Sequence, residues 1–89
     1  MPHVEFAPAI QRHQPCPPQH VEASTVGAAL EAVLAQRPQL RGYILDDRGV
    51  LRRHVTIFVD GHMVRDRARL ADAIDPDAEI YVVQALSGG

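Results

Sequence analysis

Glu79-Ile80-Tyr81-Val82-Val83-Gln84-Ala85-Leu86-Ser87-Gly88-Gly89 is the stretch whose reading decides the fold. Its first part is dense in β-branched and aromatic residues and reads as a final strand over 79–85. Leu86 to Gly89 can hold no regular structure. Working back from it, Asp75-Pro76-Asp77 makes a turn. Arg65 to Ile74 is polar and alanine-rich, with Leu70 and Ile74 four residues apart, and reads as a short helical turn or a compact loop. His54-Val55-Thr56-Ile57-Phe58-Val59 is the strongest strand signal in the chain. Asp60-Gly61 is a favoured hairpin pair, and His62-Met63-Val64 would be the short returning strand.

The front half supplies the rest. Val4 and Phe6 alternate with His3, Glu5 and Ala7, which predicts a strand over His3–Ile10 with Pro8 late in it. Gln11 to Pro18 is a polar, proline-rich loop. Gln19 to Ala23 reads as the second half of a hairpin. Ser24-Thr25 offers helix-capping hydroxyls. Val26, Leu30, Val33 and Leu34 then form one apolar stripe, predicting a helix over 25–37 that stops before Pro38. Gly27 marks an expected close approach to the sheet. Leu40–Leu45 carries Gly42 and joins no element of this pattern, and Asp46-Asp47-Arg48-Gly49 is a turn. The order β-β-α-β-β-β predicts an α+β fold, a mixed sheet packed on one helix, with the first and last strands adjacent and parallel.

Composition narrows the classes. The chain has 89 residues, a formal charge of −2 and a single cysteine. The length fits one domain, over 1–86, with 87–89 as a flexible diglycine tail. The charge argues against a nucleic-acid partner, and no apolar run approaches the ~20 residues of a membrane span. One cysteine holds neither a disulfide framework nor an iron–sulfur cluster. The N-terminus lacks the basic start and apolar stretch of a secretory signal, so the expected location is cytoplasmic. All nine basic residues are arginines. A lysine-free surface cannot trap an acyl group on itself, but the many alanines and prolines point to compositional bias.

The strand order ending in Gly-Gly resembles the MoaD/ThiS family of ubiquitin-like (β-grasp) sulfur carriers. Its other marks are Val4-Glu5-Phe6-Ala7, Ser24-Thr25-Val26-Gly27, the stretch from Leu45 to Val55, and Ile57-Phe58-Val59-Asp60-Gly61. The resemblance implies a β-grasp fold and a protein that is not an enzyme and binds no cofactor. An adenylating enzyme would use ATP to activate the carboxylate of Gly89, and sulfur would convert it to a thiocarboxylate. A downstream biosynthetic enzyme, of cysteine-type or related pathways, would accept that sulfur. Gly88, Ser87 and Leu86 would lead Gly89 into the partner's tunnel, where a Cβ would collide. The alternatives are the small subunit of molybdopterin synthase, a protein modifier joined to targets through Gly89, and a β-grasp interaction module with no activated end.

Strand parity suggests where partners dock. If Val55, Ile57, Val59, Ile80 and Val82 face the helix, then Phe58, Tyr81, Val83 and Ala7 face away, with Met63 beside them. An apolar patch on a small domain marks a partner site. The rival readings are a homodimer or lattice contact, or cover by the Asp46–Arg53 loop. His3, His13, His20, His54 and His62 lack metal-ligand spacing and read as scattered surface histidines, so no metal site is expected. Cys16, between two prolines, reads as inert. Asp46, Asp47, Asp75 and Asp77 read as turn residues. Arg48, Arg52 and Arg53 read as a solvated loop face more readily than as a site for an acidic partner.

Overall fold

The computed structural model describes residues Met1–Gln84. Two alternating segments start the sheet: β1 (His3–Phe6) buries Val4 and Phe6, and β5 (Glu79–Gln84) buries Ile80 and Val82. They pair in parallel, His3 opposite Glu79 through Phe6 opposite Val82. β3 (Val55–Val59) lies antiparallel on the other side of β5, Val55 opposite Gln84 and Val59 opposite Ile80. β2 (Gln19–His20) and β4 (His62–Met63) are the short edges, so the order is β2-β1-β5-β3-β4. The last strand is thus the centre of the sheet. This is the expected mixed α+β arrangement, with the first and last strands adjacent and parallel.

The β3–β4 hairpin closes as its sequence requires. Asp60 and Gly61 have φ of 51° and 83°. Two positive φ values in a two-residue loop match the right-handed twist of the flanking strands.

The principal helix, α2 (Val26–Leu34), follows the predicted stripe but is shorter than 25–37. Thr25 caps it, its hydroxyl accepting from the Ala28 amide at 3.2 Å. Val26, Leu30, Val33 and Leu34 are fully buried against the sheet's inner face. Gly27 does make a close approach, but to a loop. Its amide donates to the Leu70 carbonyl at 2.8 Å, and a Cβ would sit 3.1 Å from that oxygen.

The expectation of a single helix fails at two prolines. The chain forms α1 (Pro8–Gln11) where the first strand was expected to run to Ile10, and α3 (Pro38–Ile44) after α2. In both, proline occupies the first helical turn, where its missing N–H is no loss and its fixed φ favours the helix. Ala7, extended, ends the strand, and the turn that follows buries Ile10. Pro38 keeps Arg37 out of helical geometry as expected, yet opens α3, which buries Leu40 and Ile44 four residues apart.

Arg65–Ile74 forms no helix. Asp72 clasps it, accepting from the Arg65 and Asp66 amides at 2.9 Å each. Leu70, at φ 53°, plugs into the core beside α2. Residues 85–89 lie outside the described residues, and with them the end of the predicted strand, the domain boundary at 86 and the diglycine.

Candidate functional site

The outer sheet face gathers the predicted patch. Cross-strand partners share a face, and Phe58 lies opposite both Met63 on β4 and Tyr81 on β5. Val83, two residues along, lies opposite Thr56. Ala7 joins them just past the end of β1, its amide donating to the Val82 carbonyl at 2.9 Å. The five patch residues therefore lie on one face around the middle and end of β5, with Glu5 of β1 opposite Tyr81 at the edge of the patch. Among the described residues, Met63 and Tyr81 are two of the three large hydrophobics that stand exposed, at 58% and 40%. Such exposure next to a packed core marks a surface available for contact.

The same face is polar at its other end. His3 Nδ1 lies 3.0 Å from Glu79 Oε2, and its ring centroid is 5.0 Å from that of His20. Apolar area on this face thus begins at the Tyr81 row and continues to Val83. The Asp46–Arg53 loop is tied elsewhere: Leu45 bridges Leu51, and Arg52 donates its amide to the Ile44 carbonyl at 2.9 Å.

The histidines are less scattered than the sequence suggests. Tyr43 of α3 stacks on His13 at 3.6 Å between centroids and lies 4.4 Å from His54. Periodicity could not show this, since the three rings come from three separate segments. Among the described residues no three His, Cys, Asp or Glu side chains converge as metal ligands would.

Cys16 lies in the proline-rich loop, as read, but its side chain is part of the core, with no exposed area. Burial pushes its thiol pKa up, against a smaller opposing pull from Arg37. A nucleophile needs the thiolate, so the environment is an inert one. Asp46 is a turn residue, as read. The Val50 amide, then that of Arg48 and the nearby Arg52 and Arg48 charges, hold its carboxyl below the usual range. Asp72 is lowered likewise by the Arg65 and Asp66 amides.

Comparison with known proteins gives the fold its kin. SAMP1 from Haloferax volcanii superposes with a TM-score of 0.79 at 23% identity, covering 99% of this chain and 98% of its own. CysO of Mycobacterium tuberculosis gives 0.79 at 22%, over 97% and 100%. A chain of the Amycolatopsis orientalis BexX/CysO complex gives 0.80 at 16%, over all of both chains. These superpositions, at low sequence identity, show a shared β-grasp, ubiquitin-like fold. Among curated protein sequences, none matches this chain. No helix among the described residues is long and apolar enough to cross a membrane. The ThiS family model matches residues 11–89, so the chain belongs to the ThiS family of ubiquitin-like proteins, of the sulfur-carrier or modifier kind.

Proposed function

We propose that this protein is a sulfur carrier and not itself an enzyme. The observation that carries the reading is a ThiS-family match that runs through Gly89, on a body whose central strand leads to that end. The Gly89 carboxylate attacks the α-phosphorus of ATP within a cytoplasmic activating enzyme, and pyrophosphate leaves. Hydrosulfide, or a donor equivalent to it, attacks the acyl carbon of the adenylate. AMP departs and a thiocarboxylate remains, ready to give its sulfur to a biosynthetic acceptor enzyme. The carrier contributes the acyl end and the docking surfaces, and the partners contribute the chemistry. Phe58, Tyr81, Val83, Met63 and Ala7 form the apolar contact that holds the body while Leu86, Ser87 and Gly88 enter the active site. CysO of A. orientalis, crystallised with BexX, is a relative of this fold held by a protein partner.

A second reading has one observation in its favour. SAMP1, similar in fold over nearly the whole chain, is a small archaeal modifier protein. In that role the activated Gly89 would acylate a lysine of a target.

Intact mass after incubation with the activating enzyme of the same genome, ATP and sulfide separates the two. A carrier gains the difference between sulfur and oxygen and leaves added lysine-bearing proteins unmodified. A modifier yields isopeptide-linked products. Removing Gly89 should abolish either product without lowering the melting temperature. An unchanged mass with an active enzyme would leave neither reading standing.

A further inference from the structure

Six of the nine arginines fall in two loops, Arg48, Arg52 and Arg53 in one and Arg65, Arg67 and Arg69 in the other. The fold joins them. The Leu51 amide donates to the Arg67 carbonyl at 3.3 Å, and the Arg67 guanidinium donates to the Arg52 carbonyl at 2.9 Å. Together 46–53 and 65–72 carry six arginines against four aspartates, a formal +2 on a chain of −2. Three of those aspartates, Asp46, Asp66 and Asp72, direct carboxylate oxygens to backbone amides. Among the described residues, none of the six guanidiniums pairs with a carboxylate; the ion pairs there are His3–Glu79 and Arg41–Glu31. The surface thus carries a net positive charge, and its arginine heads are held in no direct ion pair among the described residues, although Arg48 and Arg52 lie near Asp46 and Arg65 near Asp72.

Its place in the fold is specific. The Arg52 carbonyl accepts from the Val55 amide at 3.1 Å, and Val55 pairs with Gln84, the last described residue of β5. An open groove of about 440 Å³, lined by Leu51, Arg52, Arg53 and His54 among others, lies at this end of the sheet. We propose that this arginine face docks an acidic surface of the activating enzyme, as a second contact separate from the apolar outer face. The proposal rests on the carrier reading above. Guanidinium groups recognise carboxylates through paired, charge-assisted hydrogen bonds. A patch of one sign also steers association, raising the on-rate most at low salt. A protein partner fits better than a nucleic acid. The rest of the chain carries −4, which repels a polyanion extending beyond the patch, whereas a folded partner need touch only the patch.

The test measures binding of the full-length chain to the activating enzyme of its own genome at low and high salt. The variants are Arg48→Glu with Arg53→Glu, whose side chains make no hydrogen bond within the described residues, and Arg12→Glu as a control elsewhere. The double variant should bind roughly 10-fold more weakly at low salt, mainly through a slower on-rate, and lose most of the salt dependence. Its melting temperature should match wild type, and Arg12→Glu should behave as wild type. If wild type is activated and the double variant binds with the same affinity and salt slope, the face is not a docking surface and the carrier reading survives. If wild type neither binds nor is activated, the carrier reading falls and this proposal with it. If wild type but not the double variant instead captures a single-stranded oligonucleotide, the face serves nucleic acid and the proposal is overturned.

Discussion

The two faces of β3 and β5 are made from the same kinds of residue and are put to opposite use. Val55, Ile57, Ile80 and Val82 point inward and are buried to within 1% of exposure. Thr56, Phe58, Tyr81 and Val83 alternate with them and keep solvent contact although they too are mostly apolar. On an antiparallel sheet covered on one side, the outer positions are expected to be polar. The inner face spends its hydrophobicity on folding, and the outer face retains apolar area that folding does not consume. Stability and recognition are therefore separable by parity, and substitutions of similar size should have different consequences on the two sides.

The inner side should give the largest effect. Leu34→Ala or Leu30→Ala removes a fully buried side chain from α2 and leaves a cavity. Each should cost about 2–5 kcal/mol in a denaturant titration. For a domain this small that is a large share of its total stability. A loss below about 0.5 kcal/mol at both positions would show that the stripe is not core.

The outer side should invert that pattern. Phe58→Glu or Val83→Glu should shift stability by no more than about 1 kcal/mol, within the range of exposed strand positions. Binding to the activating enzyme should fall by at least about 10-fold, because a charge is buried in a desolvated contact without a partner. Calorimetry on both components separates the outcomes. Unfolding of both variants would mean that the parity is reversed, and wild-type binding would mean that the apolar face is not the contact.

Parity was legible in the sequence because a strand repeats every two residues and the apolar side declares itself. So were the Asp60-Gly61 hairpin, the Thr25 cap and the central parallel pair. What escaped has physical causes. Pro8 and Pro38 carry two meanings, strand or helix breaker and first helical residue, and local sequence does not choose between them. The choice is made by whether Ile10, Leu40 and Ile44 find space in the core, a tertiary fact. The His13–Tyr43–His54 stack and the joined arginine loops depend on contacts between distant segments, which no spacing rule encodes. Cys16 is a loop residue, as read, but its burial was not legible, because it alone turns inward while its proline neighbours stay exposed. The candidate site residues Leu86 to Gly89 were read from a family resemblance alone, and they lie outside the described residues.

The smallest effect concerns how the inner side is closed. The 65–74 loop holds Leu70 against α2, and Asp72 fixes that loop through the Arg65 and Asp66 amides. Those amides hold the folded carboxyl below its ordinary value. In the unfolded chain Asp72 takes up its proton near pH 3.9. Between that value and the lower folded one the unfolded state binds more protons, so stability falls as pH falls. The contribution is complete above the unfolded pKa and disappears as pH drops through the folded one. Asp72→Asn removes the titration and one of the two acceptors, since an amide nitrogen cannot accept. The variant should melt slightly below wild type at pH 7, and the gap should close as pH is lowered below about 4. A series of thermal melts from neutral to acid pH reads this directly. A gap that stays constant would mean that the clasp acts through its geometry alone.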